Sequence, residues 1–269
     1  MTGRLPAVGI AQALDEARAA GRKLLIPYLT AGFPDRARCA QALAGLAVAG
    51  ADAIELGVPF SDPLADGPVI AAASERAIAT GTTILDAIRL GADYRAADSA
   101  RPPLVLFTYL NPVLSAGAGA IADACRSAGF GAVIVADLPF DEDPDTARTF
   151  AARGLPIVRL AAPTTRASRL AELARGAQGF VYLIARTGVT GAGAGTDRRT
   201  AEQVAAIRAS TDLPVVVGFG IAGPEEAVAA ARVADGVVVG SAFVERLDRD
   251  GPAAAVAWMR TLREALDAG

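Results

Sequence analysis

Eight short runs of aliphatic and β-branched residues recur along this 269-residue chain, and their spacing restricts the fold more than any other feature. They begin near Lys23 (KLLIPYL), Ala53 (AIELG), Leu104 (LVLFTYL), Ala132 (AVIVADLP), Pro156 (PIVRLAA), Phe180 (FVYLI), Pro214 (PVVVGFG) and Gly236 (GVVVG). Each is apolar nearly throughout rather than alternating, the pattern of a strand buried on both faces, as in a parallel sheet. Longer alanine-rich stretches of helical period lie between them, among them 36–49, 83–94, 121–128 and 200–209. Strand and helix repeated eight times, with right-handed crossovers, predict a single-domain (β/α)8 barrel over residues 1–269. One extra helix is expected before the first strand (9–20) and another in the long second βα region (71–79). An open doubly wound sheet is the competing architecture; the missing G-x-G-x-x-G turn after the first strand counts against it.

Composition narrows the chemistry. Hydrophobic residues make up 52% and charged residues 20%, the balance of a well-buried globular chain. No run nears the roughly 18 apolar residues of a membrane span, and the opening Met1-Thr-Gly-Arg-Leu-Pro has no signal-segment pattern, so a cytoplasmic protein is expected. Cys39 and Cys125 lie far apart without a CxxC pairing and read as small buried side chains of a reduced protein. The net charge of −3, with no basic block, argues against nucleic acid as the ligand. Histidine is absent altogether and Lys23 is the sole lysine. That excludes a histidine-ligated metal and leaves any Schiff base to Lys23, which begins its strand at the far end of the barrel and is expected to be exposed. Carboxylates, with tyrosines, must move any protons.

The candidate acids lie together in Glu55 to Pro68, E-L-G-V-P-F-S-D-P-L-A-D-G-P. Glu55 ends an apolar strand, where lost solvation raises a carboxyl pKa toward neutrality. The alternative for Glu55 is a core acid paired with an arginine. Asp66 precedes a glycine and equally suits a turn, and Asp62 before Pro63 suits a loop hydrogen bond. Tyr28, Tyr109 and Tyr182 fall near strand ends, where they either pack or point a hydroxyl into a pocket, and Phe219 suits a pocket wall. Asp137 is placed to anchor a loop after the fourth strand. Glycine-rich turns follow the sixth, seventh and eighth runs: Arg186 to Gly195, Gly218-Phe-Gly-Ile, and Gly240-Ser241-Ala242 at a helix start. Backbone N–H groups in such late loops form a phosphate cradle without basic side chains.

Together these segments resemble the α subunits of tryptophan synthase over nearly the whole chain. IELGVPFSDPLADGP is the most specific piece, supported by GRKLLIPYLTAGFPD, FTYLNP, VADLP, RTGVTG, VGFGI and VVVGSA. The resemblance implies a barrel lyase that cleaves indole-3-glycerol phosphate to indole and glyceraldehyde 3-phosphate by a retro-aldol step. It implies no cofactor in this chain, and a β subunit, in an α2β2 assembly, whose pyridoxal phosphate joins indole to serine. Glu55 matches the family's catalytic glutamate, and Asp66 the aspartate that binds the indole N–H. Tyr182 corresponds to a tyrosine beside that pair. Gly191, Gly220, Gly240 and Ser241 match phosphate contacts, while Tyr28, Tyr109 and Phe219 match the indole pocket. Thr190 matches the closing-loop threonine, and Pro59 and Asp62 the loop that communicates with β. The chain departs from many relatives at Phe33, Leu110, Ala136, Phe140 and Ala185, none of them a catalytic position. A lyase releasing free indole alone, or a non-catalytic activator of β, are the alternatives; phosphate-binding barrels that rely on lysine or histidine-bound metal fit this inventory poorly.

Overall fold

In the computed structural model, residues 9–139, 141–184, 198–218 and 220–269 are described. The eight apolar runs form eight parallel strands: β1 (Leu24–Thr30), β2 (Ile54–Gly57), β3 (Leu104–Thr108), β4 (Phe130–Val135), β5 (Arg159–Ala161), β6 (Val181–Ile184), β7 (Val215–Gly218) and β8 (Gly236–Val239). They hydrogen-bond in the order β4-β3-β2-β1-β8-β7-β6-β5. A parallel bridge between Val133 and Ile157 closes the ring between β4 and β5, with Val133 N donating to the Pro156 carbonyl at 2.9 Å. This is the expected barrel.

Its helices are α1 (Ile10–Ala19), α2 (Arg36–Val48), α3 (Pro68–Ala79), α4 (Ile84–Ala97), α5 (Leu110–Ala116), α6 (Ala118–Ser127), α7 (Pro144–Ala152), α8 (Ala167–Arg175), α9 (Arg198–Arg208), α10 (Pro224–Ala231) and α11 (Ser241–Ala268). Both extra helices, α1 and α3, form where the sequence placed them. The local signals are physical ones. Asp35 caps α2 by accepting the Arg38 N–H at 2.9 Å, Thr83 and Asp86 make a reciprocal capping box on α4, and Pro68 and Pro224 open α3 and α10. Two strands are shorter than their apolar runs. The third run stops being strand at Thr108, because Leu110 already begins α5. The fifth run keeps only three strand residues. The last helix, α11, is bent at Gly251 (φ 80°), where Pro252 starts its second arm.

Strand residues alternate between two apolar layers. Leu25, Ile54, Leu56, Leu104, Val133 and Val217 face the helices. Leu24, Ile26, Ala53, Val105, Ile134 and Val216 fill the barrel, and Ile10 and Leu14 of α1 pack with this interior layer. At that N-terminal end Lys23 is half-buried, not exposed as expected, because its ammonium donates to the Ala234 carbonyl at 3.0 Å. Both cysteines are buried free thiols; Cys39 Sγ accepts the Gly32 N–H at 3.3 Å. On the outer surface, the Arg246 guanidinium in the first arm of α11 lies 4.0 Å from the ring centre of Trp258 in the second.

Candidate active site

Above the filled layers, the C-terminal ends of the strands enclose a cavity of about 250 Å³. The same alternation that buries Ala53 inside the barrel turns Glu55 inward two residues later. Glu55 stands in register between Tyr28 of β1 and Val105 of β3 and is 1% exposed. No arginine pairs with it among the described residues, and its Oε1 has no hydrogen-bond partner. The paired core acid is therefore not what forms. Burial alone pushes its carboxyl from an ordinary 4.5 up to about 8.

Asp66 reaches the cavity from the loop between β2 and α3. Its N–H donates to the Pro63 carbonyl at 3.0 Å, so it is a turn residue as well as a cavity-lining acid. Burial raises its carboxyl to about 6, and a hydrogen bond from the Tyr109 hydroxyl holds it from rising further. Tyr109 also accepts the Ala65 N–H at 3.2 Å and stacks on Phe60 at 4.9 Å. Tyr109 is thus turned toward the Asp66 loop and does not line the cavity.

Tyr28 and Tyr182 do line it. Each ring lies across a strand glycine. A Cβ on Gly57 would fall 2.0 Å from the Tyr28 oxygen, and one on Gly218 would fall 2.4 Å from that of Tyr182. Burial, then the neighbouring carboxylates, lifts the Tyr182 hydroxyl well above the usual tyrosine range; burial and Asp66 do the same to Tyr28. Both are neutral hydroxyls at any working pH. Phe107 meets Tyr28 edge-on at 5.5 Å, and Phe107, Leu160, Ile184, Val238 and Ile70 complete an apolar wall. These wall residues were not singled out in the sequence; inward alternation along the strands was the available signal for all but Ile70, which lies on α3.

A further part of the cavity wall is made of Gly220, Gly240, Ser241 and Ala242, with Glu245 one turn further along α11. Gly220 has φ 76°, a left-handed backbone that glycine adopts without strain. Ser241 opens α11, so that part offers a hydroxyl and helix N-terminal N–H groups, an anion-binding arrangement. No lysine or arginine lines the cavity among the described residues.

Of the loop residues, Pro59 is buried while Asp62 is exposed and accepts the Ser61 hydroxyl at 2.5 Å. Leu64 beside them is 95% exposed. Asp137 anchors a loop as expected: its Oδ1 accepts the Leu110 N–H, the first of α5, at 2.6 Å. Thr190, Gly191 and the whole 186–195 loop, Phe219, Phe140 and Ala185 lie outside the described residues.

A barrel whose largely apolar cavity is lined by two buried acids, by glycine turns and by a helix N-terminus can now be set beside known proteins. Over 251 residues the chain is 47% identical to the tryptophan synthase alpha chain of Synechococcus elongatus, covering 93% of this chain and 94% of the relative. It is 46% identical to the alpha chain of Laribacter hongkongensis, with 93% and 96% covered. Among solved structures, tryptophan synthase subunit alpha from Legionella pneumophila superposes with a TM-score of 0.87 at 33% identity, covering 97% and 98%. A Mycobacterium tuberculosis tryptophan synthase chain gives 0.88 at 35%, covering 98% and 100%. The model of the family described as "Tryptophan synthase alpha chain" matches residues 14–267, from the helix that plugs the barrel to the end of its last helix, and the chain belongs to that family.

Proposed function

We propose that this chain, as one barrel domain, cleaves indole-3-glycerol phosphate into indole and glyceraldehyde 3-phosphate, as the α subunit of a tryptophan synthase. The observation that carries the reading is the splitting of two carboxyls in one cavity. At pH 7 Glu55, lifted to about 8, is largely protonated, while Asp66, at about 6, is largely ionised. Paired acids held in opposite states assign themselves as proton donor and anion.

The chemistry follows from those states. Glu55 delivers its proton to C3 of the indole ring, which leaves positive charge on the ring nitrogen. The Asp66 carboxylate accepts a hydrogen bond from that N–H and stabilises the cation. Glu55, now ionised, removes the proton of the hydroxyl on the carbon attached to C3. The carbon–carbon bond breaks, its electron pair restores the aromatic ring, and the oxygen becomes the aldehyde. Glu55 ends protonated, as it began, so the cycle needs no external acid or base. Tyr28, Tyr182 and Phe107 suit the indole plane, and Gly220, Gly240 and Ser241 the phosphate, with the dipole of α11 behind them. Thr190, Gly191 and Phe219 are assigned to loop closure, phosphate and indole on the family resemblance alone. Tyr109 acts through Asp66.

The family also implies a β-subunit partner. An α2β2 assembly, pyridoxal phosphate on β and a cytoplasmic setting belong to the same proposal; among the described residues no helix is long and apolar enough to cross a membrane. Pro59 and Asp62 are assigned to β communication, a role supported by the exposed Leu64 beside them.

Indole release from indole-3-glycerol phosphate, measured with and without a β subunit, tests the assignment. Glu55→Gln and Asp66→Asn proteins are expected to fold and to lose most turnover; retained wild-type rates in either refute it. Stimulation by β distinguishes the subunit from a self-sufficient lyase.

A further inference from the structure

The anion-binding part of the cavity contains an electrostatic contradiction. Among the described residues its cradle is neutral backbone and one hydroxyl, yet Glu245 lines the same cavity beside Gly240, Ser241 and Ala242. Glu245 lies four positions after Ser241, so the two share a face of α11 one turn apart. Side chains on an α-helix lean toward its N-terminus, which inclines the Glu245 carboxylate back over the turn that opens at Ser241.

Among the described residues, the cations flanking Glu245 on and beside α11 are engaged elsewhere. Arg246 covers Trp258 and donates to the Ala242 carbonyl at 3.2 Å. Arg249 holds both carboxylate oxygens of Asp250, at 2.9 and 2.7 Å, and Arg76 holds Asp248 at 2.7 Å. The charge of Glu245 acts on Arg249 only as a contribution smaller than that of Asp250. Burial keeps Glu55 largely protonated at pH 7, and the ionised Asp66 stands on the β2–α3 loop, whereas Glu245 is exposed on the helix that opens at Ser241.

We propose that Glu245 limits affinity for the phosphate group: its charge opposes the dianion that the helix N-terminus and glycine turns attract. Resting as it does on the cavity taking a phosphorylated substrate, this adds a residue that raises KM and loosens the phosphorylated product. Glyceraldehyde 3-phosphate would keep every phosphate contact its parent had, so a cradle without opposition would hold the product as firmly as the substrate. Interaction with a group common to substrate, transition state and product changes binding without aiding the bond-breaking step.

The test compares the full-length wild type with Glu245→Gln and Glu245→Lys. Calorimetric titration with inorganic phosphate reads the cradle, and titration with neutral indole serves as control. At about 30 mM ionic strength Glu245→Gln should bind phosphate about two- to sixfold tighter, the scale of one solvent-screened charge acting on a dianion, and Glu245→Lys tighter still. The gain should fade toward unity near about 0.5 M salt and should not extend to indole. KM for indole-3-glycerol phosphate should fall in proportion. Unchanged or weaker phosphate binding in Glu245→Gln, a salt-independent gain, an equal gain for indole, or no phosphate binding by any of the proteins overturns the proposal. If phosphate tightens as expected but no indole is released by the wild type, the lyase reading fails and the charge assignment stands. Normal cleavage with unchanged phosphate affinity gives the reverse.

Discussion

Replacing Glu55 with glutamine should abolish turnover and at the same time stabilise the fold, and the size of that gain can be worked from one number. The Glu55 carboxyl titrates near 8 in the folded chain against 4.5 ordinarily. Below pH 4.5 it is protonated in both folded and unfolded chains and contributes no difference. Between 4.5 and 8 the unfolded chain releases the proton and the folded chain keeps it, so stability falls as pH rises, by about 1.4 kcal/mol per pH unit. At pH 7 that amounts to about 3 kcal/mol, and above pH 8 it levels off at about 5 kcal/mol. Glutamine has no proton to lose, so it avoids the whole loss. Its buried amide sets an offset of about 1–2 kcal/mol that does not vary with pH. Urea unfolding of both proteins, followed by far-UV circular dichroism from pH 5 to 8.5, isolates the difference. The advantage of glutamine should widen steadily to pH 8 and then stay constant. A difference constant within about 0.5 kcal/mol across that range would refute the account of Glu55 as a desolvated, unpartnered acid.

The pH profile of kcat/KM should be bell-shaped, with an acid limb near 6 from Asp66 and an alkaline limb near 8 from Glu55; a profile flat from pH 5 to 9 is incompatible with the assigned states. In Tyr109→Phe, Asp66 loses the hydrogen bond that holds its carboxyl down, so the acid limb should move upward by about half to one pH unit. The same variant leaves the Ala65 N–H without its acceptor and should lose about 1 kcal/mol in urea unfolding. Gly218→Ala sets a Cβ 2.4 Å from the Tyr182 oxygen; the ring must shift, lowering kcat/KM by about 10-fold or more and stability by about 1–3 kcal/mol, read by indole release and thermal melting.

The barrel was legible because both-face burial writes itself as uninterrupted apolar runs, and each of β1 to β8 begins within three residues of the start of its run. Where a run continued into polar residues the boundary was lost: Tyr109 and Leu110 read as strand, yet Asp137, 27 residues on, accepts the Leu110 N–H and starts a helix there. Glu55 and Asp66 were legible as a pair since strand end and proline loop are local features. The role of Tyr109 was not, because its contact with Asp66 joins residues 43 positions apart and depends on the angle at which the Asp66 loop folds over β3. Lys23 misled for a similar reason. Its acceptor, the Ala234 carbonyl, lies 211 residues away and meets it only when β8 closes onto β1. Glu245 carried no sequence signal at all: an acid in a helix reads as solvated surface until the helix is seen to begin at a cavity.

The bend of α11 at Gly251 brings the Arg246 guanidinium over the ring of Trp258, the only tryptophan in the chain. A cation fixed above an indole alters the energy and yield of its emission, and this cation rides on the same arm whose first residue is Ser241. Any change in the angle between the two arms therefore alters that pair, while the ring itself does not line the cavity. The single indole thus reports, without a label, on the joint between the two arms of α11.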